Sequence, residues 1–362
     1  MAAVTGAPPR MRARRASENP ILTPAMVRPS RPDLEVVGVF NPGAIRHGKD
    51  VLLLLRVAEA PVKRSENEVD AAVFDHGSGH LEIKRWARDT PGIDVSDPRT
   101  VMLDGRMWLT SISHFRVARS SDGIHFDVDP APALQAATEL EAFGVEDPRI
   151  TLLDGTYWIN YTAVSPHGIA TALASTRDFR TFERHGIIFS PPNRDVTIFP
   201  ERINGRYAAL HRPMPEGLGE PAIWIAWSPD LMDWGHHLPV ASARRGTWDD
   251  LKIGGGAVPF RVKAGAKDAW LAIYHGVTRS PLTYSLGALL LDARDPGKVL
   301  GRSRDPILAP ETPYERKGFF GEVVFTCGVI PDGDTVRVYY GAADGVTAVA
   351  DLSVADILGG LA

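Results

Sequence analysis

Asp97-Pro98-Arg99, followed by Leu103-Asp104-Gly105 and Trp108, returns as Asp147-Pro148-Arg149, Leu153-Asp154-Gly155 and Trp158, a constant shift of 50 residues. A turn that leads into an aromatic strand in both copies marks a repeated supersecondary unit. A looser echo follows. Ser120-Ser121-Asp122-Gly123, Ser175-Thr176-Arg177-Asp178 and Ser228-Pro229-Asp230 each precede an aromatic residue, Phe126, Phe182 or Trp234, and their aspartates lie 56 and then 52 residues apart. A unit of this length holding about four short strands has the size of a propeller blade.

The rest of the chain agrees with an all-β reading. Val51–Leu55, Met107–Ser113, Tyr157–Thr162, Tyr207–His211, Ile223–Trp227, Trp270–Tyr274 and Val336–Tyr340 are short, β-branched or aromatic, and bounded by Gly, Asp, Pro or Asn. Helical periodicity is poor: Pro130–Ala142 is expected to form one helix and Val354–Leu361 a last short turn. Dividing the chain by the repeat predicts a five-bladed β-propeller over residues 19–362, with blade cores starting near Val51, Met107, Tyr157, Tyr207 and Trp270. Val336–Ala350 is expected to close the ring with N-terminal sequence. A β-sandwich offers no reason for a 50-residue shift. The 34 glycines and 29 prolines, about 17% of the chain against about 12% in average proteins, suit a fold with many turns.

Charge and cysteine content exclude several classes of function. With 40 basic and 44 acidic residues the net charge is −4, which argues against a nucleic-acid-binding surface. Cys327 stands alone, so a disulfide-stapled scaffold is excluded. No stretch approaches the 18 or so apolar residues of a membrane helix. Arg10, Arg12, Arg14 and Arg15 have no apolar segment after them, so the expectation is a cytoplasmic chain with a disordered basic tail over residues 1–18.

Polar clusters fall at the ends of the predicted strands: Phe40-Asn41-Pro42-Gly43, Arg56–Glu59, Glu146–Arg149, Asn193-Arg194-Asp195, His211-Arg212, Lys252–Gly256, Tyr274-His275-Gly276 and Tyr340–Asp344. Around one channel they would form a polar cavity, and buried polar groups need partners or a ligand. An inverting glycoside hydrolase works with two carboxylates. Here Arg194, Arg212, Lys252 and His275 put cations in excess, and bidentate arginine suits phosphate. Two plainer readings stand beside this one. Asp147-Pro148-Arg149 could be a structural turn in which the aspartate caps amides, as its copy at Asp97 suggests, and His211 or His275 could be hydrogen-bonded structural histidines. Gly254-Gly255-Gly256 lacks the spacing of a nucleotide loop, and no Cys/His spacing supports a metal.

At these clusters the sequence resembles glycoside hydrolase family 130, the inverting β-mannoside phosphorylases. The resemblance runs from about Asn19 to Leu358. It rests on Phe40–Gly43, Leu53–Glu59, Gly144–Arg149, Phe199–Gly205, Leu210–Pro213, Tyr274–Gly276 and Tyr339–Asp344, in that order. Arg56–Val62, Leu109–Ser113 with Ala118–Gly123, Gly254–Pro259 and Gly318–Phe325 look like the branch acting on β-1,2-linked mannobiose and oligomannans.

The resemblance implies a reversible phosphorolysis that yields α-mannose 1-phosphate. Asp147 matches the single catalytic acid, which protonates the glycosidic oxygen through a mannose hydroxyl. Arg194, Arg212, Lys252 and His275 match the phosphate-binding set. Asn41, Arg56, Arg149 and Asp344, with His211 nearby, match groups that hold mannose. Glu322 departs from the aspartate or asparagine of relatives. A β-mannoside and inorganic phosphate are the expected partners, with no cofactor or metal, no nucleic acid and no membrane, and a homo-oligomer is a family expectation. Two other readings stay open: an inverting β-mannosidase of the same fold, and a non-catalytic carbohydrate-binding propeller.

Overall fold

In blades one to three, the strand nearest the central axis is broken by a β-bulge at one polar residue, and this feature sets the architecture of the site. The computed structural model describes residues 13–215 and 217–362. Among them, five antiparallel sheets follow one another along the chain. Blade one is formed by Leu34–His47, Asp50–Pro61, Ile112–Ser120 and Asp127–Val128, and blade two by Val145–Leu153, Thr156–Ser165, Gly168–Thr176 and Glu183–Phe189. Blade three runs Asn193–Ile198, Tyr207–Pro213, Ile223–Ser228 and Gly235–Ala241. Lys252–Gly255, Lys267–Thr278, Thr283–Asp292 and Val299–Arg302 make blade four, where Phe260–Ala264 also pairs with the second strand.

Blade five combines Val324–Asp332, Thr335–Ala342 and Val346–Ser353 with an outer strand from the other end of the chain, Arg14–Arg15, which pairs with Asp351 and Ala350. These two arginines therefore belong to the sheet and not to a disordered tail. The part of that tail over residues 1–12 lies outside the described residues.

Five hydrophobic clusters each join two neighbouring blades. Leu52 and Phe115 of blade one pack with Ile159 and Ala172 of blade two. Leu173 and Ile188 meet Ile198 and Tyr207 of blade three, and Leu210 and Ile225 meet Trp270 and Leu289 of blade four. Leu271 and Leu286 meet Val338 and Tyr340 of blade five. Finally, Tyr339 and Val349 return to Val39 and Leu53 of blade one. The five contacts close a ring, so the fold is a five-bladed β-propeller. Alternation along each strand sends apolar side chains to both flanking blades, which is why the strands read as short apolar runs.

Two expectations need correction. The repeat copy beginning at Asp97 is not a blade: it sits in a hairpin, Thr100–Leu103 with Arg106–Leu109, which together with Glu68–Asp75 and His80–Ala87 is inserted between the second and third strands of blade one. A turn plus an aromatic strand specifies a hairpin, but only buried faces draw a hairpin into a blade. Met107 is 50% exposed, whereas Ile159 and Tyr161 of the second copy are buried. Five blades remain because Val336–Ala350, expected only to close the ring, supplies two strands of a full blade. Pro130–Ala142 is mostly irregular, with an isolated bridge from Leu134 to Phe115 and a single short turn of helix at Glu139–Glu141. The Ala133 amide donates to the Phe115 carbonyl at 2.7 Å, and Pro130 and Pro132 can donate nothing to a helix.

The repeat that is truly shared by the blades is the looser echo. The hydroxyls of Ser120, Thr176 and Ser228 accept the amides of Gly123, Phe179 and Leu231 at 2.8, 3.0 and 2.8 Å. Asp122, Asp178 and Asp230 then accept the amides two residues on, at 2.8, 2.8 and 2.9 Å. One turn thus links the third and fourth strands in blades one to three.

Candidate active site

The innermost strands of blades one, two and three shift register between Phe40 and Gly43, Glu146 and Arg149, and Arg194 and Thr197. At each shift stands one residue in the left-handed region: Asn41 at φ 47°, Asp147 at φ 52° and Asp195 at φ 58°. Asn and Asp tolerate this conformation better than other side chains that carry a Cβ, and a bulge re-aims the side chain it carries.

A cavity of about 1060 Å³ opens at this centre, and Asn41, Arg56, Glu146, Asp147, Arg194 and Asp344 are among the residues that line it. The inserted hairpin adds Trp108, whose ring centre lies 5.0 Å from that of Trp86. Opposite chain segments supply Tyr284 and Phe320, the latter with the Arg99 guanidinium 4.7 Å from its ring centre.

Asp147 accepts two hydrogen bonds on one oxygen: Asn41 Nδ2 and an Arg56 terminal nitrogen each donate to Oδ1 at 2.9 Å. Arg56 also donates to Ser113 Oγ at 3.0 Å and to Glu146 Oε1 at 2.6 Å, so each of its three nitrogens donates one hydrogen bond. Arg194 donates to the other Glu146 oxygen at 3.3 Å, while its buried Nε has no partner. The two copies of Asp-Pro-Arg therefore differ. Asp97 caps the Arg99 amide at 2.9 Å and pairs with its guanidinium, the structural turn that the plainer reading describes. Asp147 instead carries its carboxylate into the cavity.

Beside the cavity, Arg212 Nε donates to Asp195 Oδ2 at 2.6 Å, and His275 Nε2 lies 3.7 Å from the same oxygen. Gly254 leaves room for all three, since a Cβ there would lie 2.5 Å from the His275 ring and 2.8 Å from Arg212 Nε. Lys252 places its ammonium 5.2 Å from the centre of the Tyr284 ring. Two expected phosphate ligands, Arg212 and His275, thus gather around Asp195, next to Arg194, and Lys252 lies close to His275.

Two expected sugar-binding residues are turned elsewhere. Arg149 is buried, and its donors hold the carbonyls of Gly256, Asp147 and Gly255 at 2.7, 3.0 and 3.0 Å, which ties blade two to blade four. His211, on the opposite face of its strand from Arg212, stacks on Phe189 and contacts Asn193 and His237 through its two ring nitrogens, each at 3.0 Å. Sequence reasoning assigned no role to Asp195 or Glu146. A signal existed for Asp195: it occupies the same place in its blade as Asn41 and Asp147. Glu322 adopts φ 58° beside the cavity, its carbonyl accepting the Tyr284 amide at 2.9 Å.

Charge is distributed unevenly over these groups. Burial pushes the Asp147 carboxyl up, but Arg56, Arg194 and Arg149 outweigh it and hold the group below its ordinary value. For Asp344 burial wins, helped by the nearby Asp147 and Glu146, and its pKa rises to about 6. Burial, with Arg212 and Lys252 close by, pushes His275 down to about 3. His275 is therefore neutral, and the set expected to hold four cations holds three cations and an uncharged imidazole whose buried Nδ1 has no partner among the described residues.

Residues 98–361 match the model of glycoside hydrolase family 130, described as β-1,4-mannooligosaccharide phosphorylase. The chain belongs to glycoside hydrolase family 130. Within the family it is 45% identical over 348 residues to β-1,2-mannobiose phosphorylase of Listeria innocua, covering 95% of this chain and 97% of that one. It is 36% identical to 1,2-β-oligomannan phosphorylase of a Thermoanaerobacter species, over 85% of this chain and 99% of the relative. The structure of the Listeria innocua enzyme in complex with β-1,2-mannobiose superposes with a TM-score of 0.92 at 44% identity, covering 96% of this family 130 chain and 99% of the other.

Proposed function

We propose that the protein is an inverting β-mannoside phosphorylase acting on β-1,2-linked mannobiose or short β-1,2-oligomannans. The observation that carries this reading is Arg194, a half-buried guanidinium on the cavity wall whose buried Nε has no partner, set between Asp147 and the Arg212, Lys252 and His275 group. A phosphate there has bidentate arginine geometry and a low-dielectric cationic cradle.

In the forward reaction a phosphate oxygen forms a bond to the anomeric carbon as the bond to the glycosidic oxygen breaks. The proton from Asp147 passes through a mannose hydroxyl to the leaving oxygen, and attack from the opposite face gives α-mannose 1-phosphate. The low pKa of Asp147 in the free protein fits this order of events. Its cationic neighbours keep it ionised until a phosphate dianion offsets them, and the carboxyl then regains its proton affinity. Asn41 and Arg56 fix Asp147 on Oδ1, and no described residue donates a hydrogen bond to Oδ2.

One observation favours the hydrolytic alternative: Asp344 is a second carboxyl on the same cavity, and inverting hydrolysis uses two. Incubation with β-1,2-mannobiose, with and without inorganic phosphate, separates the readings. Phosphorolysis predicts α-mannose 1-phosphate only when phosphate is present. Mannose release at equal rates without phosphate would overturn it, and a parallel panel of β-1,4 mannosides tests the linkage.

A further inference from the structure

The two halves of the site are joined by one side chain to which neither half assigns a task. Glu146 puts Oε1 on Arg56 at 2.6 Å and Oε2 on Arg194 at 3.3 Å. Its side chain is 12% exposed and lines the cavity. The two arginines are held unequally. Arg56 has Asp147 and Ser113 as further partners, whereas Glu146 is the only described hydrogen-bond acceptor for Arg194. Asp147 follows Glu146 directly and shares Arg56 with it, so the charge on Glu146 bears on the same cations that hold Asp147 ionised.

We propose that Glu146 is a positioning residue that holds Arg194 in readiness and yields it to the incoming phosphate, so that phosphate and the Glu146 carboxylate compete for one guanidinium. The inference rests on the phosphorylase reading. Its consequences follow from charge balance. With Glu146 present, part of the cationic field is offset, which weakens phosphate binding and keeps the Asp147 carboxyl easier to protonate. Removing the charge while keeping the shape strengthens the first and impairs the second.

The test is Glu146→Gln, with Glu146→Asp as the charge-conserving control. Inorganic phosphate binding is measured by calorimetry, and phosphorolysis of β-1,2-mannobiose is followed against pH. For Glu146→Gln we expect phosphate to bind about five- to tenfold more tightly, the size of one close charge interaction in a partly buried site. Activity requires protonated Asp147 and declines as pH rises through its pKa. The glutamine lowers that pKa, so the alkaline decline of kcat moves to lower pH. Glu146→Asp should leave the decline where it is in the unaltered protein. Unchanged or weaker phosphate binding in Glu146→Gln, or an unmoved pH profile with kcat merely reduced, overturns the role of Glu146 alone. Phosphate binding to neither the unaltered protein nor Glu146→Gln overturns both this role and the phosphorylase reading.

Discussion

Arg212 gives its Nε to Asp195 at 2.6 Å, and both side chains are buried, 5% and 3% exposed. Arg194, one residue before Asp195, is 25% exposed and leaves Glu146 still paired with Arg56 when it is removed. The two arginines should therefore fail differently. Arg212→Ala takes away the guanidinium hydrogen-bonded to a buried carboxylate, whose next cation, Arg149, lies 3.6 Å from it, and is expected to cost about 3 kcal/mol of stability. Arg194→Ala should change stability by less than about 1 kcal/mol while raising the KM for phosphate about 10- to 100-fold, the loss of a charged hydrogen bond. Thermal melts read beside phosphate-dependent kinetics check both.

Asp147→Asn removes the proton donor while keeping an oxygen for Asn41 and Arg56. We expect kcat to fall about 10²–10⁴-fold with the KM for the disaccharide little changed and the melting temperature within a few degrees of the unaltered protein. An Asp147→Asn protein that still turns over at the original rate would exclude Asp147 as the acid.

Asp344 makes stability depend on pH in the direction opposite to most carboxylates. Its folded pKa of about 6 lies above that of a free aspartate, so its protonated form favours the folded state. That contribution is complete below pH about 4 and is lost as pH rises through about 6. Asp344→Asn, which cannot ionise, should be more stable than the unaltered protein by about 1–3 kcal/mol at pH 8 and equal to it near pH 4. Melting curves at the two pH values measure the difference, and weakened mannoside binding should accompany the gain.

The closing strand of blade five predicts a distant effect on stability. Arg15 donates Nε to Glu315 at 2.8 Å, and Glu315, fully buried, also accepts from Tyr340 and from the Thr312 amide. Arg15→Ala leaves that carboxylate without its cation and should cost about 2–4 kcal/mol. Rates measured well below the melting temperature should not change, since Arg15 lies on the outer strand and the cavity is lined by other residues.

Much of the fold could be read locally. The Ser/Thr and Asp turns, the apolar strand cores and the excess of glycine and proline each specify a short strand and its exit, and these signals need no distant partner. What local reading misplaced was membership. Met107–Leu109 and Tyr157–Asn160 carry the same pattern, and only the second has blades on both sides to bury it. Pro130–Ala142 shows the same limit, because the amides of Ala133 and Leu134 are taken by Phe115 from another part of the chain.

For the site, residue type pointed to a surplus of cations but left Asp147 open as a structural turn, and the family motifs supplied Asp147 as the acid and the other roles. Sequence by itself determined that a turn-rich, all-β chain would carry Asp147, Arg194 and Asp344 near strand ends; Asn41, expected at an end, stands at a bulge within Leu34–His47. Tertiary structure alone decided what each of them does there. Bulges at φ 47° and 52° turn Asn41 and Asp147 into one cavity, strand alternation takes His211 away from it, and burial makes His275 neutral and Asp344 reluctant to ionise. The physical reason is that a side chain's direction and its charge depend on which groups from other blades surround it, and that information lies in no local stretch of the chain.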